Sequence, residues 1–126
     1  MMIRTLFLIG IGGLIGSIAR YLTTSFFNKV FTSPFPYGTF FVNIAGCLII
    51  GFVYGLSERF NWFTSEWRLF FATGICGGFT TFSAFAYENM RLIQTGNFFV
   101  FVSYSIASVG FGLLAVFIGL TLIKLF

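Results

Sequence analysis

The segment from Thr80 to Phe85 carries the residues whose types and spacing best suit chemistry, with three hydroxyls and two phenylalanines in six positions. Phe82 and Phe85 lie three residues apart, so on a helix they project from roughly the same face. An aromatic ring has a positive edge, and edge-on rings accommodate an anion where water is excluded. Cations prefer ring faces, and the chain offers no ring of carboxylates such as lines cation pores. The segment therefore favours contact with an anion.

Three glycines, Gly74, Gly77 and Gly78, come just before these residues and make the run poor for a lipid-exposed helix. The run lies inside an apolar stretch of membrane length. There, neighbouring protein, an ion or a water-filled path must satisfy every backbone group that leaves the helix. Discontinuous membrane helices commonly place their exposed backbone ends at ion sites. We therefore expect a helix that is broken near the membrane midplane.

Polar side chains in two other apolar stretches extend this pattern. Asn43 stands among apolar residues with Thr39 four positions earlier, on the same helical face. The amide of Asn43 supplies two N–H donors that suit an anion, although an interhelical hydrogen bond is an equally good explanation. Tyr104 and Ser108 are also four residues apart, and Ser105 lies on an adjoining face. Two such polar stripes favour a pathway over isolated contacts between helices.

Catalytic and transition-metal chemistry lack their usual residues. The chain has no histidine, which excludes Ser-His-Asp and Cys-His nucleophiles, and too few ligands for a zinc site. Cys47 and Cys76 fall inside apolar stretches, where they behave as small apolar residues. The three carboxylates are dispersed, and only Glu88 adjoins the glycine-rich segment. We therefore predict that the protein is not an enzyme.

The composition identifies an integral membrane protein, because 58% of its 126 residues are hydrophobic and only 8% are charged. Apolar runs of about 20 residues are long enough to cross the hydrocarbon core. We predict one domain, residues 1–126, with four transmembrane helices. The first run lacks an Ala-x-Ala-like cleavage site, so we expect it to be retained as a span. The four predicted spans are Arg4 to Phe27, Tyr37 to Ser57, Trp67 to Ile93 and Phe98 to Phe126.

The seven basic residues are almost evenly divided between the two sides of such a bundle, four against three. The excess of positive charge that normally orients a small membrane protein is nearly absent, so both insertion directions are open. We predict dual topology and an antiparallel homodimer, with a single topology set by subtler signals as the alternative. The scattered basic residues also give no reason to expect nucleic acid as a partner. We expect membrane lipid to surround the helices. The side with four holds Arg4, Arg59, Arg68 and Lys124, and the other holds Arg20, Lys29 and Arg91.

Small residues recur at four-residue spacing in several spans, which predicts close helix packing. Gly12 and Gly16 form such a pair, as do Gly51 and Gly55. The glycines around the first pair superficially resemble a nucleotide-binding loop. That loop requires a preceding strand, whereas this pair lies within an apolar helix, so a nucleotide site is excluded. Arg20, near the end of the first span, has two equal interpretations. It reaches the interface as a long side chain, or it lines a vestibule and concentrates anions there.

The run from Gly74 to Phe85 resembles the Gly-x-x-Gly-Gly-x-Thr-Thr-Phe-Ser-x-Phe run of the Fluc/CrcB fluoride channels. Gly38 to Asn43 resembles the Gly-Thr-x-x-x-Asn segment of the same family, and an early glycine-rich stretch ends at Arg20. The resemblance covers essentially the whole chain. It implies a passive fluoride-selective channel that lets fluoride leave the cytoplasm across the cell (inner) membrane, built as an antiparallel dual-topology homodimer with two pores.

The resemblance also implies roles for individual residues. Phe82 and Phe85 would flank fluoride, Asn43 would donate its amide, and Arg20 would belong to a vestibule. A central structural sodium ion would be held by the backbone carbonyls of Gly77 and Thr80, since carbonyl cages suit alkali cations. Further pore residues would be Thr39, Thr81, Ser83, Glu88, Tyr104 and Ser108. Ala84 and Ala86 stand where relatives often carry hydroxyls, which leaves this polar track incomplete.

Two other functions remain as alternatives. A proton-coupled small multidrug exporter is also a small four-span, dual-topology dimer, but it requires a midplane carboxylate. Only Glu88 is available, and it lies toward the end of the third span. A non-conducting assembly or lipid-interaction subunit is favoured if Asn43 and Thr80 merely hold helices together.

Overall fold

The computed structural model describes all 126 residues, and every regular element in it is helical. Four helical stretches are long and apolar enough to cross a membrane, as predicted: Met2–Val30, Tyr37–Arg59, Ser65–Gln94 and Phe98–Lys124. The chain is therefore a multi-pass membrane protein. Its elements are α1 (Met2–Val30), α2 (Tyr37–Arg59), α3 (Ser65–Arg68), a π-helical segment (Leu69–Cys76), α4 (Gly77–Phe79), α5 (Phe82–Gln94) and α6 (Phe98–Lys124).

The third span is interrupted close to its middle, within the run that the sequence singled out. Thr80 has φ −90° and ψ 157°, and Thr81 has φ −153° and ψ 118°, so both residues are extended. The first half of the span, α3 to α4, ends with backbone carbonyls, and the second half, α5, begins with backbone amides. A helix end carries partial negative charge at its carbonyls and partial positive charge at its amides. The break therefore offers one end that suits a cation and one that suits an anion.

The residues before the break form a π-helix rather than an α-helix, a feature that the sequence did not predict. The segment Leu69–Cys76 is eight residues long and runs directly into α4. π-helical turns are rare and are found disproportionately at functional sites. The wider winding changes which side chains of this half-span face α1 and α2.

Glycines bring the backbones of neighbouring spans into contact, which confirms the predicted packing role of the small residues. A Cβ atom on Gly12 would lie 2.9 Å from the Cα of Gly74 and 2.7 Å from the carbonyl oxygen of Phe70. A Cβ atom on Gly51 would lie 2.5 Å from the carbonyl oxygen of Val116 and 3.0 Å from the Cα of Gly119. Real Cβ atoms do not approach backbone so closely. These glycines therefore fix α1 against the first half of the third span, and α2 against α6.

The interior of the single chain is small. Only 19 of the 126 residues are buried, and the most enclosed large side chains are Tyr104, Val42 and Cys76. Many large apolar side chains lie on the surface, as expected for helices that face lipid or another protein chain. The buried polar side chains are those of Thr39 in α2 and Asn89 in α5.

Candidate functional site

Asn43 of α2 holds the break in the third span through two hydrogen bonds to one residue. The backbone N–H of Thr81 donates to Oδ1 of Asn43 at 2.8 Å, and Nδ2 of Asn43 donates to the carbonyl oxygen of Thr81 at 3.2 Å. The side-chain amide thus replaces the helical partners that Thr81 lacks. Because the amide group has two N–H donors, one N–H remains for another acceptor. Asn43 is therefore both a structural contact and a candidate ligand-binding residue.

Thr81 also begins α5 with its side chain. Its Oγ1 accepts a hydrogen bond from the backbone N–H of Ala84 at 3.2 Å and lies 3.1 Å from the hydroxyl oxygen of Ser83. A threonine in this N-cap position satisfies one of the free amides of the first helical turn. The positive end of α5 is consequently fixed at the break, where it favours an anion.

Several predicted residues line one groove beside the break. The groove has a volume of about 310 Å³ and is open to the surface of the chain. It contains both parts of the polar pattern, since the amide of α2 and a hydroxyl of α6 lie opposite the break. The predicted site residues in its lining are Asn43, Thr80, Thr81, Phe82, Phe85 and Ser108. Cys47, for which the sequence indicates no functional role, also lines it.

Aromatic rings connect this groove to the polar core. The ring centroids of Phe82 and Phe85 are 5.8 Å apart, and those of Phe85 and Tyr104 are 5.0 Å apart. Phe82 remains 78% exposed, whereas Tyr104 is completely buried. The rings therefore form a continuous row from the open groove to the interior.

Tyr104 ends this row at a half-buried carboxylate. Its hydroxyl donates a hydrogen bond to Oε1 of Glu88 at 2.9 Å, and the hydroxyl of Thr39 donates to Oε2 at 2.6 Å. Both carboxylate oxygens thus have a donor, one from α6 and one from α2. We call Thr39, Glu88 and Tyr104 the carboxylate cluster. It joins three spans and lies at the inner end of the aromatic row.

Ser83 lies apart from both the groove and the cluster. It is exposed, and its hydroxyl contacts only Thr81 among the polar side chains. Ala84 and Ala86 carry no hydroxyl. The connection from the groove to Glu88 therefore runs through the rings of Phe85 and Tyr104 rather than along a row of hydroxyls on α5.

Arg20 makes a contact that neither sequence-based interpretation anticipated. Its Nε donates a hydrogen bond to the carbonyl oxygen of Gly78 at 3.0 Å, in the last turn before the break. The guanidinium is half-buried, and its remaining N–H groups make no other hydrogen bond within the chain. Its positive charge consequently lies at the carbonyl end of α4, where it opposes the negative helix end.

Two carbonyl groups at the end of α4 fit the requirement of an alkali cation. The carbonyl oxygen of Thr80 accepts no hydrogen bond from the chain. In a continuous helix the carbonyl of Gly77 would accept from Thr80 or Thr81, but those amides donate to the carbonyl of Cys76 and to Asn43. Hard cations take such oxygen ligands. No group of three or more acidic, cysteine or histidine side chains offers an alternative metal site.

Comparison with known proteins places the whole chain in one family. The family described as CrcB-like protein, Camphor Resistance (CrcB), matches residues 7–120. A protein of Flavobacterium psychrophilum is 46% identical over 121 residues, which cover 96% of this chain and 98% of the relative. A protein of Azobacteroides pseudotrichonymphae is 42% identical over 99% of this chain and 100% of the relative.

A third relative, from Leptospira interrogans, is 42% identical over 98% of this chain and 97% of its own length. All three relatives bear the name fluoride-specific ion channel FluC. The match runs through all four spans, the break and the groove, so the resemblance first noted in the Gly74 to Phe85 run extends to the complete fold. With near-complete coverage at more than 40% identity, the chain belongs to the CrcB family.

Proposed function

We propose that this protein is a passive fluoride-selective channel that lets fluoride leave the cell across the cell (inner) membrane. One observation carries the proposal. The groove at the break brings together Asn43, Phe82 and Phe85, in a chain whose relatives are named as fluoride-specific ion channels. Those names describe channels rather than enzymes, in agreement with the missing catalytic residues.

The groove supplies the donors that a small anion needs when it loses water. Asn43, Ser108 and the first residue of α5, Phe82, all line it, so an amide, a hydroxyl and the positive end of a helix are available there. The ring edges of Phe82 and Phe85 carry partial positive charge, and the rings bring no negative charge that would repel the anion. Fluoride holds its hydration shell strongly, so selectivity over chloride combines a narrow passage with several converging donors.

From the groove the path continues along the aromatic row. Phe85 contacts Tyr104, and the hydroxyl of Tyr104 is hydrogen-bonded to Glu88. Thr39 and Thr81 supply further hydroxyls near the two ends of this path, Ser83 reaches it only through its contact with Thr81, and Arg20 adds positive charge at the vestibule. In this proposal, fluoride moves past the rings and leaves on the side where α5 ends.

The functional unit is an antiparallel homodimer with dual topology and two pores. Two observations support this assembly. The basic residues are divided four to three between the two sides, so they impose no strong orientation. The groove is open along its side, with Phe82 78% exposed, and a second copy of the chain would close it.

A structural sodium ion completes the assembly. The carbonyls of Gly77 and Thr80 would hold it, because their ordinary helical donors are engaged elsewhere or absent. In an antiparallel dimer two such breaks would face each other and double the number of oxygen ligands. The positive ion would also offset the charge of fluoride passing nearby.

Fluoride efflux from liposomes tests this function directly. Purified protein is reconstituted into vesicles loaded with potassium fluoride, and a potassium ionophore balances the charge; vesicles loaded with chloride are the control. We expect fast fluoride loss with little chloride loss. Phe82→Ile should reduce the fluoride rate, whereas Phe99→Ile on the 83% exposed surface of α6 should not. A correctly assembled dimer without fluoride flux would overturn the proposal.

The two alternatives predict different results in the same vesicles. A proton-coupled exporter would lose its activity in Glu88→Gln, whereas a channel retains measurable passive fluoride flux in that variant. A non-conducting subunit would assemble normally and give no flux in any variant. The family relationship does not favour either alternative, because the relatives are named as channels.

A further inference from the structure

A second cavity lies where α5 ends and the loop before α2 folds over it. Its volume is about 260 Å³. Glu88 belongs to this cavity as well as to the carboxylate cluster, so the cavity meets the inner end of the path described above. Unlike the groove, it has an almost entirely polar or proline lining, which indicates contact with water. The lining residues are Pro34, Pro36, Glu88, Arg91, Leu92, Thr95 and Asn97.

Arg91 is the only basic residue in this lining. It follows Glu88 by three residues on α5, so both side chains lie on neighbouring parts of one helical face. The two do not form a salt bridge, since the only ion pair in the chain joins Arg4 and Glu66. The guanidinium of Arg91 is exposed and makes no hydrogen bond through its side chain. Its charge is therefore directed at the cavity and not neutralised by a partner.

Glu88 presents a problem for an anion path. Its two oxygens accept hydrogen bonds from Thr39 and Tyr104, an arrangement that suits the ionised carboxylate. A carboxylate at the inner end of the cavity repels a second negative ion, and the repulsion grows in a low-dielectric environment. A positive charge in the same cavity offsets that repulsion and raises the local anion concentration.

We propose that Arg91 forms the anion-binding mouth of the path and offsets the charge of Glu88, so that a small hard anion can pass the carboxylate cluster. This inference depends on the proposed channel function. It assigns an anion-attracting residue at the end of α5, away from the break that Arg20 contacts. Thr95 and Asn97 shape this mouth, since the amide of Asn97 donates to the Thr95 hydroxyl at 3.0 Å.

Fluoride efflux from liposomes tests the inference with charge variants of the one position. Arg91→Gln should lower the initial fluoride rate by about tenfold at low ionic strength, within the usual range of electrostatic steering. Arg91→Lys keeps the charge and should stay close to the wild-type rate. Lys124→Gln is the matched control, because Lys124 is also exposed near a helix end but lines none of these cavities.

Two further measurements separate an electrostatic role from a structural one. Raising the salt concentration screens exposed charges, so the difference between Arg91→Gln and wild type should shrink. In a Glu88→Gln background, Arg91→Gln should cost much less flux than in the wild-type background, because the repulsion is gone. If Arg91 served only to anchor α5, its effect on flux would depend neither on the salt concentration nor on the charge of Glu88.

The results distinguish this inference from the proposed function. If wild-type vesicles release fluoride and Arg91→Gln vesicles release it equally fast, the proposed role of Arg91 is wrong, but the channel function is supported. If Arg91→Gln slows fluoride release equally in the wild-type and Glu88→Gln backgrounds and at every salt concentration, Arg91 does not offset the charge of Glu88. If wild-type protein of the correct size releases no fluoride, the channel function itself fails.

Discussion

The side-chain amide of Asn43 pairs with both backbone polar groups of Thr81, at 2.8 Å and 3.2 Å, and thereby ties α2 to the interruption of the third span. A single side chain thus does for the break what the following turn would do in a continuous helix. Because the same residue lines the groove, the stability of the break and the polarity of the groove both depend on one amide.

Asn43→Ala should therefore impair stability and flux together. The variant leaves the N–H and the carbonyl of Thr81 without partners, at a cost of about 1–3 kcal/mol for each group that stays buried. We expect a lower thermal unfolding midpoint in detergent and a reduced fluoride rate in liposomes. Asn28→Ala, at an exposed position near the end of α1, is the control and should change neither. Unchanged stability of Asn43→Ala would show that the amide does not hold the break.

Gly12→Ala should weaken the contact between α1 and the third span. The added methyl group would lie 2.7 Å from the Phe70 carbonyl oxygen and 2.9 Å from the Cα of Gly74, so the backbones must separate. Overpacking of this kind typically costs about 1–3 kcal/mol. Gly10→Ala is a matched control, because no atom lies within 4 Å of its added Cβ. Thermal unfolding in detergent measures both, and equal midpoints would contradict the contact.

Some of this architecture could be predicted from the sequence because it depends on local properties. Hydropathy gave the four spans, and the spacing of Gly12 and Gly16 gave close packing, since both are properties of consecutive turns. The contact of Arg20 with Gly78 could not be predicted, because the two residues are 58 positions apart. Any free carbonyl oxygen can accept a hydrogen bond from a guanidinium, so residue type does not identify the acceptor.

The partner of Asn43 was open for a similar reason. An amide at membrane depth must pair with something, but its type does not identify a backbone group 38 residues away. The π-helical winding of Leu69–Cys76 was also missed, because apolar residues with glycines give no periodic pattern that separates it from an α-helix. Chemical type singled out the candidate site residues, whereas their contacts required the fold.

Tyr104→Phe should disturb the carboxylate cluster without changing its packing. The variant removes only the hydroxyl that donates to Glu88 at 2.9 Å. Hydrogen bonds to a charged group contribute about 1.5–3 kcal/mol, so the unfolding midpoint should fall and the fluoride rate should decrease. The control is Tyr87→Phe on the exposed face of α5, which removes a hydroxyl without a partner. A fluoride rate equal to that of the control would exclude the hydroxyl from the path.

Asn89 of α5 should destabilise the fold, and a suitable substitution should therefore raise its stability. The residue is only 7% exposed, and its Oδ1 atom is buried without any hydrogen-bond partner. A buried acceptor left unpaired costs about 1–3 kcal/mol, whereas an apolar side chain of similar size has no such cost. We therefore expect Asn89→Leu to raise the thermal unfolding midpoint in detergent. Met90→Leu, at the exposed neighbouring position, should have little effect. A lower midpoint for Asn89→Leu would mean that the oxygen is stabilised by a group bound beside it, and the buried position would then belong with the polar path near Glu88.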